Sequence, residues 1–367
     1  MRRLLGALKK YDWFLITAIV LLAAVGLVVI YSISLHQTKV ELLFKKQVLF
    51  VVVGFLTMIG VGLGDYRIFK NWGWAALLVY LVSLVLLTAV LFFWVEVRGV
   101  RSWFIVRDFG LEPVEFVKIV LILVLAKYLA ISHIEIHRIQ HIAVSGFYAL
   151  IPAALVLIQP DLGSAIILIV LWLGLMLIAG IRRQHLAMLL AITLVVVALG
   201  WFYFLHDYQR GRIISFLNPH LDPQGIGYNR NQALIAIGSG GLWGRGLKHA
   251  TQSQYGFLPQ APTDFVLAAV GETWGLVGLT AVLGLWLVIF WRLKVIAQRS
   301  SNNFAKLFIV GFFLVAMMQF FINAAVNFGL LPITGIPSPF LSYGGSGFLA
   351  FSAGIGLILS IDRLNKS

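Results

Sequence analysis

Long, uninterrupted apolar runs constrain this chain more than any other feature. A helix needs about 20 apolar residues to cross the hydrocarbon core of a bilayer. About ten segments approach that length: Trp13–Ser34, Gln47–Leu63, Trp72–Val95, Pro113–Ala130, Ile142–Ile158, Leu162–Ile181, His185–Leu205, Asp264–Trp291, Leu307–Gly329 and Gly345–Ile361. The runs lack the ten-residue alternation of membrane barrel strands and mostly lack the amphipathic stripe of soluble helices. Only 11% of residues are charged, against about 25% in soluble chains. The expectation is an all-α polytopic membrane protein, a single integral membrane domain over 1–367. A soluble enzyme and a disordered chain are excluded. The first run is too long for a signal peptide and no small-residue cleavage site follows it, so it reads as the first span. The chain has no cysteine, which removes disulfides, thiolate catalysis and zinc–thiolate or iron–sulfur sites. No internal repeat or low-complexity tract stands out.

A net charge of +14 would suggest nucleic acid in a soluble protein. Here it reads as topology, with no nucleic-acid partner. With ten spans both termini share a side, and that side carries sixteen of the Lys and Arg residues. They include Arg67, Lys70, Lys127, Arg182, Arg183, Arg292 and Lys366. The short opposite loops carry six: Lys39, Lys45, Lys46, Arg98, Arg101 and Arg107. The positive-inside rule therefore puts both termini of a multi-pass membrane protein in the cytoplasm. The polar, Gly- and Pro-rich connections then all lie outside: Glu96–Glu112, Gln159–Asp161, Asp207–Thr263 and Leu330–Gly344. Nucleotides are scarce there, so an enzyme on that face would draw on an activated, lipid-linked donor.

Ionisable groups inside spans are functional candidates by default. Glu115 and Lys118 stand at i and i+3 behind Pro113 and share a helix face. They read either as a charge pair lining an outward cavity or as an ion pair fixing two helices. Asp161 occupies an N-cap position. Thr263 or Asp264 caps the next span, where free N–H groups favour an ionised carboxylate suited to act as a base. Glu272, about two turns deeper, reads as a second site group or a partner for a buried cation. Asp207–Thr263 is a long extracytoplasmic loop between spans seven and eight. Its Arg210 and Arg212 suit phosphate, because the guanidinium fork matches that anion. The glycine-rich Gly238–Gly246 segment lacks the Gly-Lys-Ser/Thr of a phosphate-binding P-loop and reads as a flexible stretch or an anion nest. Ile336–Gly347, with Ser342, is dense in Pro and Gly and reads as broken backbone shaping a cavity. His133, His137 and His141 have a spacing that could hold a metal, but they read as one face of a solvated interfacial helix.

These motifs together resemble the SEDS family (shape, elongation, division and sporulation). The resemblance rests on Glu115-Phe-Val-Lys118, Gln159-Pro-Asp-Leu-Gly163, Leu258-Pro through Thr-Asp264-Phe, and Pro339-Phe-Leu-Ser-Tyr-Gly-Gly-Ser346. They occur in the family's order and cover nearly the whole chain. Gly244-Arg-Gly-Leu, Thr251-Gln-Ser-Gln254 and Gly256-Phe-Leu-Pro259 are similar to the family's elongation members. The resemblance implies a peptidoglycan glycosyltransferase that polymerises lipid II into β-1,4 glycan strands at the outer leaflet. It places the essential aspartate at Asp264 and the family's other charged positions at Glu115, Lys118 and Asp161. It also implies a class B penicillin-binding protein, a transpeptidase, as partner. Arg101 loosely matches the family's Arg-Trp after span three. The family's usual Glu and His before Thr-Asp are replaced here by Gln260, Ala261 and Pro262.

The chemistry suits these residues. An inverting transfer needs a base, assigned to Asp264. It also needs cations for the departing pyrophosphate, assigned to Lys118, Arg101, Arg210 and Arg212. No cofactor is required by the sequence, and a divalent cation (Mg or Mn) is left open. A flippase for lipid-linked precursors and a non-catalytic cell-wall scaffold are the alternatives. A flippase should carry polar groups in both leaflets, whereas here they gather in the outer half.

Overall fold

The computed structural model describes residues 6, 8–92, 95–97, 100–106, 109–132, 139–200, 202, 207–217 and 226–366. In chain order the elements are α1 (Trp13–Ser34), α2 (Thr38–Leu63), α3 (Arg67–Asn71), α4 (Gly73–Phe92), β1 (Val95–Val97), β2 (Val100–Val106) and β3 (Phe109–Leu111). There follow α5 (Pro113–Ser132), α6 (Ile139–Ile158), α7 (Leu162–Ala179), α8 (Arg183–Leu199), α9 (Asp207–Leu217), α10 (Ile226–Gly240) and α11 (Thr251–Gln254). The chain closes with α12 (Val266–Arg299), α13 (Asn303–Asn327) and α14 (Gly345–Asn365).

Among the described residues each of the ten apolar runs contains a helix, and eight of these helices are long and apolar enough to cross a membrane. The other two are informative. The α5 helix carries Glu115, Lys118 and Lys127 within 20 residues, and it is the hub of the molecule. It packs against α4, α6, α7, α13 and α14, with Leu121, Ile122, Leu125, Ala126 and Leu129 all buried. A helix apolar on every side belongs inside a bundle. The α8 helix has 17 residues and presents Leu190, Ile192, Leu194 and Val195 outward. Part of the run continuing to 205 lies outside the described residues. Elsewhere α14 lies along α2, α1 packs on both α2 and α12, and α12 packs on α13. Asp12 ties α1 to α12, accepting from Leu15 N–H (3.1 Å) and from the Arg292 guanidinium (2.9 Å from Nε).

Three segments differ from the sequence expectation. The Glu96–Glu112 connection is not a plain loop but carries a three-stranded antiparallel sheet in the order β1-β2-β3. Val97 pairs with Val100, and Ile105 with Gly110. The β-branched and aromatic residues of Val100-Arg-Ser-Trp-Phe-Ile-Val suit a strand. The long Asp207–Thr263 loop contains α9, α10 and α11, and α10 packs on α12. Finally, the eighth run is broken at Gly275 (φ 66°, ψ −156°), a backbone conformation essentially confined to glycine.

That break explains the glycine-rich segment. It is neither a flexible stretch nor an anion nest, because its backbone repairs the broken helix. Arg245 and Gly246 N–H groups donate to the Glu272 and Thr273 carbonyls, each at 2.9 Å. Leu276 and Val277 N–H groups donate to the Gly241 and Leu242 carbonyls at 2.9 and 3.2 Å. Four backbone groups orphaned by the kink are thus satisfied by one turn. The approach is close: a Cβ at Gly244, itself at φ +82°, would lie 2.2 Å from the Thr273 oxygen.

Candidate active site

A cavity of about 530 Å³ gathers the motifs into one place. Its wall takes Glu112 and Glu115 from the start of α5, Asp161 from the turn before α7, Arg212 from α9, Asp264 from the turn before α12, and Gln319 from α13. The Pro- and Gly-rich segment 334–345 and the start of α14 close one side, and Ser102 and Trp103 of β2 another.

Glu115 sits in the first turn of α5 and is 3% exposed. Its Oε1 accepts from Lys118 Nζ at 2.7 Å, and its Oε2 from Gln319 Nε2 at 3.4 Å. Lys118 is fully buried and stands behind Glu115 rather than on the wall. Its ammonium therefore holds the glutamate. The sequence expectation set Lys118 at the leaving group; in the structure its ammonium meets Glu115. Burying the pair is tolerable only because each charge neutralises the other.

Asp161 is both a cap and a wall residue. Its Oδ1 accepts from Ser164 N–H at 3.0 Å at the start of α7, and the residue lines the cavity. Its neighbour Gln159 is buried and donates to the Leu87 carbonyl at 2.8 Å, tying α6 to α4.

Asp264 lines the cavity and is 8% exposed. It is not the cap of the following helix, and neither is Thr263. The α12 helix begins at Val266 with Phe265 at the cap position and no side-chain bond from it. The cap function is supplied from another helix. Asn327 Oδ1 of α13 accepts from Ala268 N–H at 2.8 Å, one of the donors a helix start leaves orphaned. Through Nδ2 the same side chain donates to the Asp264 carbonyl at 2.8 Å, and Asn323, one turn away, donates there at 3.0 Å. Asn323 also reaches the Ile336 carbonyl (2.9 Å), and Tyr343 N–H donates to the Pro262 carbonyl (2.8 Å). The Asp264 backbone is thus fixed by α13 and by the segment that faces it. At the replaced motif positions, the Gln260 carbonyl accepts from the N–H groups of Thr263, Asp264 and Phe265.

Ser342 lines the cavity and its Oγ accepts from Ser338 N–H at 3.0 Å, so its hydroxyl braces the broken segment. Gln47 of α2 pins the same segment, donating to the Ser342 carbonyl (3.4 Å) and accepting from Gly344 N–H (3.2 Å).

The two loop arginines separate. Arg212 lines the cavity while donating to the Ile333 carbonyl at 3.2 Å. Arg210 donates to the Phe202 carbonyl at 3.1 Å and is not among the wall residues. Arg101 lies in β2, and its side chain is outside the described residues. A wall cation that sequence reasoning missed is Lys46. Assigned to a loop, it lies within α2, which starts at Thr38 rather than Gln47.

Asn323, Asn327 and Glu112 were also missed. The asparagines carried a readable signal: two amides one turn apart inside an apolar run. Glu112 N–H donates to Ser346 Oγ at 2.8 Å. Glu112 is partly buried and lines the cavity. Burial, followed by the nearby carboxylates of Glu115, Asp161 and Asp264, raises its affinity for a proton well above the ordinary carboxylate range, against the lowering effect of Lys118.

Glu272 belongs to neither expected role. It is buried and accepts from Gln252 N–H (2.7 Å), Ser253 N–H (2.9 Å) and Ser253 Oγ (2.8 Å). It therefore anchors α11 to α12. Of the three histidines, His133 and His137 lie outside the described residues, and His141 Nδ1 lies 2.9 Å from the Tyr128 hydroxyl. Among the described residues no group of three or more His, Asp or Glu side chains is arranged to hold a metal alone. A cation here would need ligands from the substrate as well as the wall carboxylates.

Comparison with known proteins agrees along the whole chain. The family model described as the cell cycle protein FtsW/RodA/SpoVE matches residues 12–367. The peptidoglycan glycosyltransferase MrdB of Escherichia coli K12 is 33% identical over 316 residues, covering 86% of this chain and 84% of the relative. The peptidoglycan glycosyltransferase RodA of Treponema pallidum is 30% identical, covering 96% and 98%. Among solved structures, a chain from a peptidoglycan synthase complex that coordinates polymerization and crosslinking superposes with a TM-score of 0.81. It shows 29% identity, with 97% of this chain and 98% of that one covered. The rod shape determining protein RodA of Thermus thermophilus gives a TM-score of 0.73 at 27% identity, covering 97% and 98%.

Proposed function

This chain belongs to the FtsW/RodA/SpoVE family of cell cycle proteins, and on that premise we propose that it is a multi-pass membrane peptidoglycan glycosyltransferase acting in cell elongation and shape. Its substrate is lipid II, and its product is a β-1,4-linked glycan strand assembled at the outer leaflet.

The observation that carries this reading is one cavity holding a carboxylate, Asp264, together with two cationic wall residues, Lys46 and Arg212. In the reaction an acceptor sugar hydroxyl attacks the donor's anomeric carbon, a new C–O bond forms, and the bond to the diphosphate breaks. Asp264 takes the hydroxyl proton. Its backbone is clamped by Asn323 and Asn327, which fixes the base without reorganisation during reaction. Lys46 and Arg212 offset the charge that grows on the diphosphate. Glu115, held by Lys118, and Asp161 shape the remaining polar wall. Were a divalent cation, Mg or Mn, bound here, Asp264 would help to hold it and it would supply further positive charge for the leaving group. The cavity volume suits a sugar diphosphate headgroup, while the polyprenyl tail stays in the bilayer.

Both termini lie in the cytoplasm in this reading, which the basic connectors support. Because the chain has no cysteine, a single Lys366→Cys variant labelled from one side only would test this directly. The partner is a class B penicillin-binding protein that crosslinks the new strands. The family relation and the likeness to a chain from a peptidoglycan synthase complex support it. The deciding experiment is polymerisation of purified lipid II by the purified protein with this partner, beside Asp264→Asn. Glycan ladders present in the native protein and lost in a correctly folded variant are expected. Near-normal ladders from the variant would sink the assignment.

A further inference from the structure

A second cavity, of about 260 Å³, lies at the opposite end of the bundle from the active site. Its wall holds Lys70 of α3, Lys127 and Ile131 near the end of α5, and Asn302, Asn303 and Phe304 at the start of α13. We propose that this pocket binds the headgroup of an anionic phospholipid of the leaflet on that side. The proposal rests only on the chain spanning a bilayer and not on its enzymatic activity.

Three observations lead there. First, the two lysines line the same pocket, and like charges brought together repel. Among the described residues neither ammonium meets a carboxylate; Lys127 Nζ instead donates to the Lys70 carbonyl. A like-charged pair held together without a counter-charge is relieved by an anion. Second, the start of α13 adds to the same wall. Asn302 caps it through Ala305 N–H (2.9 Å) and is itself fixed by donating to the Tyr66 hydroxyl (3.0 Å). The positive end of a helix of 25 residues thus opens beside the lysines. Third, the surroundings fit a lipid better than a soluble ion. Ile131 is 70% exposed on the pocket's rim. Trp72 and Trp74 follow Lys70 closely in the chain, outward-facing, with ring centroids 5.5 Å apart. Paired tryptophans beside lysine mark the level of the headgroups. A phosphodiester at Lys70 and Lys127 would leave its acyl chain to run along Ile131.

Such a lipid would bridge three elements. It would hold α3 against the ends of α5 and α13, two helices that pack together and carry Glu115 and Gln319 on the active-site wall.

The test uses the full-length protein, stripped of lipid in a neutral detergent and titrated with phosphatidylglycerol or phosphatidylcholine. Native mass spectrometry counts bound lipid. One site with about thirtyfold preference for phosphatidylglycerol is expected, at about fivefold per lysine. Lys70→Gln and Lys127→Gln should each lose about fivefold, and the double variant should lose the preference. Lys70→Arg/Lys127→Arg should keep it, which separates lost charge from lost fold. Arg182→Gln/Arg183→Gln, on another basic connector, should also keep it. A preference that survives the double Gln variant overturns the proposal. So does equal loss in the Arg182/Arg183 control, which would mean diffuse surface charge. Inorganic phosphate raising the melting temperature as far as phosphatidylglycerol would overturn the lipid assignment in favour of a soluble anion.

Discussion

Replacing Asn327 by leucine separates the scaffold of the active site from its chemistry. Leucine is close in size and can pack among the apolar residues around α13, but it can neither donate nor accept. Asn327 is fully buried, so no water replaces what is lost. At the acceptor end, Ala268 N–H loses its partner at 2.8 Å, and an unpaired buried donor costs about 1–3 kcal/mol. At the donor end, the Asp264 carbonyl keeps Asn323 at 3.0 Å, so that loss is nearer the net worth of one hydrogen bond, about 1 kcal/mol. The sum is about 2–4 kcal/mol. Asp264 itself is untouched, but its turn is freed on one side. A displacement of about 1 Å at a reacting group costs about a hundredfold in rate. The assay is thermal unfolding in detergent together with lipid II polymerisation. A lowered melting temperature and a fall in kcat of about that size are expected. Asn327→Asp, which keeps an acceptor but presents no donor to Asp264, should also lose activity. A leucine variant as stable and as fast as the native protein would refute the idea that α13 positions the base.

Three further outcomes follow from buried groups and strained backbone. Lys118→Met leaves Glu115 buried without its counter-charge and should cost about 3–5 kcal/mol, while Glu115→Gln/Lys118→Met should regain most of that in thermal unfolding. Glu112 binds its proton more tightly in the folded state than an ordinary carboxyl does, so the native protein should lose stability as pH rises above the usual carboxylate range. Glu112→Gln removes that dependence: it should match the native protein near pH 4 and exceed it at neutral pH, by at most about 1.4 kcal/mol per pH unit, and melting curves across pH check it. Gly275→Ala places a Cβ about 2.5 Å from the Leu242 oxygen and the Gly244 nitrogen. Strain of about 1–3 kcal/mol before any clash should make the Gly241–Gly246 turn susceptible to proteolysis.

The sequence by itself determined the helices, because length and continuous apolarity are local properties that water and lipid read directly. Trp13–Ser34 appears with the expected ends, and Asp161 was recognisable as a cap because the capping bond spans only three residues. Segments joined by local chemistry were therefore legible, and so were the four motifs that surround one cavity. The tertiary structure decided which polar groups face that cavity and which serve the frame. Lys118 stood out in sequence as a cation inside a span and Lys46 read as a loop residue, yet Lys118 is locked behind Glu115 and Lys46 lines the wall. Glu272 resembled a site residue until α11 was seen bound to it. The glycine-rich turn gained its purpose only beside the break at Gly275. The start of α12 is capped from residue 327, far along the chain. A buried polar group must find a partner somewhere, but hydropathy along the chain does not say where. Only packing of distant segments brings donor and acceptor together, and in this protein those pairings separate the cavity wall from its supports.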